Sequence, residues 1–114
     1  MIAEAAVALA LLTPAAEKPQ PCQTQACHRR VERRHMRHVI RPYRDWLRRL
    51  AWSESRGNPR ASNGTHFGLY QFALPTWRAV GGPGHPLNAS RLQQSYRAVI
   101  LLKRVGPGQW ECKA

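Results

Sequence analysis

Apolar residues recur with a helical period in the second two thirds of this chain. Pro42 suits the first position of a helix, where its missing backbone N–H costs nothing. Apolar residues then follow at steps of three, one and three, which places them on one helical face: Tyr43, Trp46, Leu47 and Leu50. Gly57 and the Asn58-Pro59 pair end the pattern. The sequence therefore predicts a helix from Pro42 that carries Glu54 in its last turn.

A hairpin and two further helices are predicted downstream. Residues 60–73 combine turn residues with short apolar alternation, which indicates a loop and a small hairpin. A short helix is expected from about Pro75 to Val80. The last helix should begin near Ser90, because Ser90 and Gln93 have the spacing of a capping box. Its buried face is expected to consist of Leu92, Tyr96, Val99 and Ile100.

These elements predict a mainly α domain of the α+β type, with a short β-hairpin or loop beside the helix that carries Glu54. Every Trp and Phe follows residue 45, so the buried core is expected within about residues 39–114. We divide the chain into an apolar N-terminal segment, a linker with a basic arm, and one domain. Their ranges are residues 1–16, 17–41 and 42–114.

The apolar N-terminal segment, residues 1–16, resembles a secretory signal in its apolar run and its small-residue exit. Glu4 stands where such a signal normally has a positive residue. Three interpretations therefore stay open: a cleaved signal, a short amphipathic or buried helix, and a segment held by a larger assembly. The run is too short to span a bilayer.

The basic arm contains six arginines and three histidines between residues 28 and 41. Its apolar residues form a poor helical stripe, which predicts a solvated arm or helix outside the core. The whole chain has a net charge of +12, so polyanions will attract it. Nucleic acid, anionic lipid and the anionic polymers of bacterial walls all qualify, and charge alone does not choose among them.

Few carboxylates are available for catalysis. After residue 38 the acidic residues are Asp45, Glu54 and Glu111. Asp45 precedes Glu54 by nine helical residues, about 13 Å along the axis and about half a turn around it, so the two side chains diverge. Glu111 lies three residues from the C-terminus and is discounted. Glu54 is the remaining candidate.

The position of Glu54 suits a general acid. A helix C-terminus disfavours negative charge, and Trp52 and the aromatic residues of the following loop are expected to supply an apolar wall; both effects raise a carboxyl pKa. A general acid near neutral pH needs such a raised pKa. The plain alternative is a surface carboxylate that pairs with Arg56 or Arg60.

Three motifs follow one another from Glu54 onward: Glu-Ser-Arg-Gly-Asn-Pro at 54–59, Gly-Leu-Tyr-Gln-Phe at 68–72 and Pro-Thr-Trp at 75–77. In this order and spacing they closely resemble the lysozyme-like superfamily. The nearest group is the transglycosylase-like domain of the resuscitation-promoting factors, with its actinobacterial and phage relatives. The resemblance covers about residues 43–112.

The resemblance implies roles for individual residues. It makes Glu54 the catalytic acid and Gln71 a residue of the sugar cleft. It also makes Thr76 a substrate contact and Trp77 the aromatic residue beside it, although Trp77 fits a plain core position equally well. Asn58 joins the candidate substrate-binding residues but is expected mainly to shape the turn.

Tyr70 and Phe72 flank Gln71 in the second motif. Strand alternation predicts that one of them faces the cleft and the other the core, and Tyr70 is included among the candidate substrate-binding residues.

The cysteines depart from the family pattern. Relatives commonly carry a Cys just before the catalytic glutamate, bridged to a Cys near the C-terminus, but here Ser53 takes the first position. Cys112 then pairs with Cys22 or Cys27, or these two pair with each other. A zinc site in this region is disfavoured because the spacings match no common site. Neither a metal nor another cofactor is expected.

The implied activity is cleavage of the β-1,4 bond between N-acetylmuramic acid and N-acetylglucosamine in peptidoglycan by a single glutamate. Glycosidases usually employ two carboxylates, so a lone Glu54 favours the lytic transglycosylase reaction over muramidase-type hydrolysis. The protein would be secreted or wall-associated, with its basic arm on anionic wall polymers or membrane, or carried in a phage virion with assembly partners.

Two rival functions belong to different classes. One is a non-catalytic module with the same fold that binds peptidoglycan or builds a phage virion. The other is a nucleic-acid binder, which the aromatic-rich second half of the chain does not support.

Overall fold

The computed structural model describes residues 21–110, and every structural statement below refers to that range. The N-terminal segment 1–16, Glu111 and Cys112 lie outside it. Within this range the elements in chain order are α1 (Gln25–Ile40), α2 (Arg44–Ser55), β1 (His66–Phe67), β2 (Phe72–Ala73), α3 (Leu74–Ala79) and α4 (Arg91–Val105). Short 3₁₀ turns occupy Arg41–Tyr43, Pro86–Asn88 and Pro107–Gln109. None of the helices described here is long and apolar enough to cross a membrane.

The first helix, α1, is secured at its N-terminus. The Thr24 hydroxyl caps it by accepting a hydrogen bond from the Cys27 backbone N–H at 3.0 Å. A disulfide joins Cys22 to Cys27 across the same turn. This pairing is one of the alternatives that the sequence left open.

The other end of α1 is docked on the domain. Met36 and Ile40 are only 4% and 8% exposed, and α1 packs against α4. The expectation that residues 28–41 lie wholly outside the core is therefore wrong for the last turns of the helix. Met36, Val39 and Ile40 have the spacing of one helical face. This apolar face covers only the last turns of α1, but it is enough to pack the C-terminal end of the helix against the domain.

The second helix, α2, follows through the 3₁₀ turn that contains Pro42, so the α-helix proper begins at Arg44. It buries Leu47, Leu50 and Ala51. Arg56, in the left-handed conformation at φ +54°, ends it, and Gly57 follows at φ +75°. The predicted position of Glu54 in the last turn is confirmed.

The hairpin pairs His66 with Ala73 and Phe67 with Phe72 in antiparallel register. Its connecting turn is clamped by a fully buried residue of α4, Gln94. The Gln94 amide oxygen accepts from Leu69 N–H at 2.8 Å. The Gln94 amide nitrogen donates to the carbonyls of Pro59 and Ala89, at 3.3 and 3.1 Å. One side chain thus ties the hairpin to two neighbouring loops.

Two predictions for the last helix have different outcomes. Its start is confirmed, since the Ser90 hydroxyl accepts from Gln93 N–H at 3.1 Å. Its buried face is only partly right: Val99 is buried, whereas Leu92, Tyr96 and Ile100 are partly exposed. The other buried residues are Gln94, Ala98 and Leu101. The face is shifted because α4 packs against α1 and also clamps the hairpin turn.

The core is built around Trp77 of α3, which has no exposed surface. Its ring meets Phe72 edge to face at 5.2 Å, and its indole N–H donates to the carbonyl of Pro83 at 3.2 Å. The predicted fold class, mainly α with one small sheet, is confirmed.

Candidate active site

A cleft of about 360 Å³ lies between the end of α2, the hairpin and the C-terminal segment. It brings together Glu54 and Gln71, two residues that the sequence motifs had singled out. The full set of lining residues is Ser53, Glu54, Asn63, His66, Gln71, Gln109 and Trp110. This polar cleft is the candidate active site.

Glu54 enters the cleft from the last turn of α2 and is partly buried, with its Oε1 atom inaccessible to solvent. The next residue fixes this helix end against the hairpin. The Ser55 hydroxyl lies 2.9 Å from the carbonyl oxygen of Ala51 in its own helix and 2.8 Å from that of Leu69 in the hairpin turn. Ser55 therefore sets the position of Glu54 relative to the turn that carries Gln71.

The expected apolar wall from Trp52 is absent, and that expectation is wrong. Two helical residues span about 200° around the axis, so Trp52 and Glu54 leave α2 in nearly opposite directions. Trp52 is 59% exposed, and the Arg56 guanidinium lies 5.0 Å from its ring centre. Trp52 lines a separate, more apolar cleft with Leu47 and Leu69.

Trp110 supplies the aromatic wall of the Glu54 cleft instead. Its indole N–H donates to the carbonyl of Tyr70 at 2.9 Å, and its ring meets Trp46 edge to face at 5.3 Å. The sequence analysis missed this role. Trp110 lies 56 positions after Glu54, outside every local motif, so only tertiary structure reveals it.

Gln71 occupies the hairpin turn in a left-handed conformation, at φ +52°. Its side-chain amide nitrogen donates to the carbonyls of Gly68 and Ala61, at 2.9 and 3.2 Å. These bonds fix the plane of the amide group. Gln71 also lines a smaller cavity of about 70 Å³ that includes Thr76 and shares His66, Gln109 and Trp110 with the main cleft. Glu54, Gln71 and Thr76 therefore border adjoining cavities.

Three other candidate residues lie elsewhere. Tyr70 is buried on the far side of the hairpin, where its hydroxyl lies 2.7 Å from that of Ser95. Burial raises the pKa of the Tyr70 phenol, while the Ser95 hydrogen bond and the Arg91 charge act in the opposite direction. Trp77 belongs wholly to the core. The Asn58 side chain accepts from Arg60 N–H at 3.0 Å and shapes the turn.

The alternation expected around Gln71 is wrong. Tyr70 and Phe72 are both buried, at 3% and 2% exposure. That expectation misapplied the period of a strand, because residues two apart on a strand share a face. The left-handed backbone of Gln71 also reverses the chain there, so these three residues do not form a continuous strand.

His66 was also missed by the sequence analysis. A polar turn presents it: the Asn63 side-chain oxygen accepts from the backbone N–H groups of Thr65 and His66, at 3.0 and 2.8 Å. The His66 Nδ1 atom lies 2.9 Å from the Thr65 hydroxyl. The Asn-Gly pair at 63–64 predicted the turn, but no nearby residue in the sequence indicated that His66 lines the same cleft as Glu54. Across residues 21–110, no three His, Cys, Asp or Glu side chains are placed to hold a metal ion.

The fold and the cleft together define a small lysozyme-like domain of the resuscitation-promoting factor type. Residues 42–113 match the model of the Transglycosylase-like domain family, and the chain belongs to this family.

Curated relatives agree with this assignment. The chain is 46% identical over 63 residues to the resuscitation-promoting factor Rpf of Micrococcus luteus, a match that covers 54% of this chain and 28% of the relative. It is 42% identical over 64 residues to RpfD of Mycobacterium tuberculosis, covering 54% of this chain and 40% of that protein. The chain thus spans less than half the length of these relatives. No solved structure gives a significant match.

Proposed function

We propose that this protein cleaves the glycan strands of peptidoglycan as a lytic transglycosylase, with Glu54 as its catalytic acid. The observation that carries the proposal is the shared cleft of Glu54 and Gln71, in a chain that belongs to the Transglycosylase-like domain family. Glu54 and Gln71 come from two separate motifs, and the Ser55 hydroxyl links the end of α2 to the hairpin turn that carries Gln71.

The proposed reaction begins with protonation. Glu54 donates its proton to the glycosidic oxygen between N-acetylmuramic acid and N-acetylglucosamine as positive charge develops at the anomeric carbon. The bond from that carbon to the leaving oxygen breaks. The 6-hydroxyl oxygen of the same muramic acid then bonds to the anomeric carbon and gives its proton to the Glu54 carboxylate. The product carries a 1,6-anhydro end, and Glu54 is again protonated.

The arrangement of carboxylates supports this route over hydrolysis. Hydrolysis by the usual mechanisms needs a second carboxylate, as nucleophile or to activate water. Within residues 21–110, Glu54 is the sole acidic side chain that lines the cleft. Asp45 is on the surface, where it forms an ion pair with Arg48.

The other residues of the cleft bind and orient the sugar in this proposal. The Gln71 amide, fixed by its bonds to Gly68 and Ala61, offers a hydrogen bond to a sugar substituent. Thr76 offers a hydroxyl in the adjoining cavity, and Trp110 gives a rigid apolar wall. Preorganised groups of this kind lower the entropic cost of reaching the reactive geometry.

The proposed substrate lies outside the cytoplasm, so we also propose that the protein is exported. The Cys22–Cys27 disulfide supports this, because disulfides persist mainly in oxidising compartments.

The test is mass spectrometry of purified peptidoglycan after digestion by the wild type and by Glu54→Gln. We expect 1,6-anhydro muropeptides from the wild type and at least a ~10³-fold lower rate from the variant, since general acid–base catalysis contributes about 10²–10⁴-fold. Asp45→Asn is the matched control, because it removes the same charge from the same helix and should retain full activity.

Two other outcomes would contradict the proposal. Reducing ends in place of anhydro ends would identify a hydrolase and overturn the transglycosylase reaction. Binding to peptidoglycan without any product would overturn the enzyme and favour a non-catalytic binding module.

A further inference from the structure

The exposed side of α1 carries a row of arginines that the proposed catalysis does not use. Arg30, Arg33, Arg34, Arg37 and Arg41 are all exposed. At 100° per residue they fall within an arc of about 100°, and they extend over about 16 Å of helix axis. We call these five residues the arginine stripe.

The stripe is free of compensating charge. Among residues 21–110, no carboxylate lies within ion-pair distance of any of its five members. The single acidic residue of α1, Glu32, is on the opposite flank near Arg97 of α4. Burial lowers the pKa of the Arg97 guanidinium, and the Tyr96 and Glu32 side chains oppose that shift. The acidic side chain of α1 is thus engaged away from the stripe.

Contacts at both ends of α1 stabilise the helix against repulsion between its arginines. Arginines spaced three and four residues apart repel one another and weaken an isolated helix. The Thr24 cap and the Cys22–Cys27 disulfide secure one end, and buried Met36 and Ile40 secure the other. The stripe is therefore presented as a rigid row and not as a flexible tail.

We propose that the arginine stripe binds a linear phosphodiester polymer of the bacterial cell wall. Guanidinium groups match phosphate oxygens in a two-pronged geometry. Members of the stripe that are three or four residues apart lie about 5–6 Å from each other along the helix surface, so an extended chain of phosphates can engage several of them at once. The choice of a wall polymer rests on the proposed peptidoglycan substrate.

Two other polyanions fit the stripe less well. A helix that lies on a membrane inserts an apolar face, but Met36 and Ile40 of α1 are covered by the domain, and Val31 is its single large apolar residue that is exposed. Proteins that bind single-stranded nucleic acid stack bases on aromatic rings, and residues 21–41 contain no Phe, Tyr or Trp.

The test measures binding of the full chain to a synthetic poly(glycerol phosphate) chain by fluorescence anisotropy. Arg30→Gln/Arg34→Gln removes two charges from the stripe, and Arg60→Gln/Arg78→Gln removes two exposed charges elsewhere. We expect the stripe variant to bind about tenfold more weakly at ~50 mM salt and to lose about 1.4 from the slope of log affinity against log salt. The control variant should change affinity by less than about threefold.

Several results would overturn the proposal. Equal losses in the two variants would show that net charge alone drives binding. Tighter binding to vesicles of anionic phospholipid would favour a membrane surface, and tighter binding to single-stranded DNA would favour nucleic acid. Circular dichroism checks that Gln, which has a helix propensity close to that of Arg, leaves α1 folded. The polymer contains no glycosidic bond, so this result is independent of whether the cleft is catalytic.

Discussion

Single residues fix the shape of the cleft through side-chain hydrogen bonds to the backbone around it. Ser55 touches the hairpin turn, Gln94 supports the same turn from α4, and Trp110 is held by the backbone of Tyr70. In the proposed reaction Ser55 and Gln94 are positioning residues, because each acts on the residues that would meet the sugar, whereas Trp110 lines the cleft itself. Two predictions belong to this scale.

The first prediction concerns Ser55. Ser55→Ala should lower kcat about tenfold by loosening Glu54 relative to Gln71, while the free energy of unfolding falls by only about 1 kcal/mol, as for one lost hydrogen bond. Ser95→Ala is the control, since it removes a comparable bond to Tyr70 away from the cleft. Assays on purified peptidoglycan and thermal unfolding separate the two effects. Equal kcat values in the two variants would contradict the positioning role.

The second prediction concerns Gly68, at φ +84°. A Cβ atom there would lie 2.3 Å from the amide oxygen of Gln94, which is held by its own hydrogen bonds. Gly68→Ala should therefore destabilise the fold by about 3 kcal/mol, through both backbone strain and a broken clamp. Gly64→Ala has a similar φ of +92° and open space, so it should cost only about 1 kcal/mol. Denaturant unfolding measures both, and equal losses would refute the clamp.

At the scale of elements, local signals predicted the boundaries of α2 and α4 well. Pro42 and Gly57 act through their own backbone conformation and Ser90 through its own hydroxyl, so the sequence displays all three signals directly. The docking of α1 was not predicted from the sequence. It depends on three apolar residues in the last turns of α1 and on the packing of α1 against α4, which lies far away in the sequence. The position of Trp52, in contrast, follows from helix geometry alone.

The third prediction separates the two anchors of α1. Cys22→Ser/Cys27→Ser should speed amide hydrogen exchange in residues 28–31 and weaken binding to poly(glycerol phosphate) a few-fold, because the first turns fray. Met36→Ala should instead lower the free energy of unfolding by about 2 kcal/mol, since it empties a buried position. Unchanged exchange in the cysteine variant would show that the Thr24 cap alone secures the helix.

The residues of the candidate site were also predicted only in part from the sequence. The motifs identified Glu54 and Gln71, and the structure places both of them on the same cleft. His66 and Trp110 were missed, since each enters the cleft through tertiary contacts that no spacing in the chain reveals. Tyr70 and Trp77 belong to the same motifs, but the structure buries both and places neither in the lining of the Glu54 cleft.

At the scale of the whole molecule, the net charge of +12 is unevenly distributed. The polar cleft holds Glu54, whereas α1 carries the arginine stripe. The proposed catalysis and the proposed attachment would therefore use different surfaces, and salt should affect them differently.

The fourth prediction follows from this separation. Raising salt from about 50 to about 200 mM should raise KM severalfold on intact walls that retain their anionic polymers. On glycan strands stripped of those polymers, KM should change by less than about twofold. Arg30→Gln/Arg34→Gln should remove most of the salt effect on intact walls. A salt effect of the same size on both substrates would place the anionic contact in the cleft itself.

The Gln94 clamp has a consequence for how such a domain can evolve. Its three partners are the Leu69 N–H and the carbonyls of Pro59 and Ala89, and these are backbone atoms. Backbone carbonyls are supplied by every residue type, so side chains of these loops can be exchanged without loss of the clamp, except at Gly68, where an added Cβ would meet Gln94. An inserted or deleted residue would carry a partner out of reach. The loops that the clamp joins can therefore vary in sequence by substitution, while their lengths stay constrained.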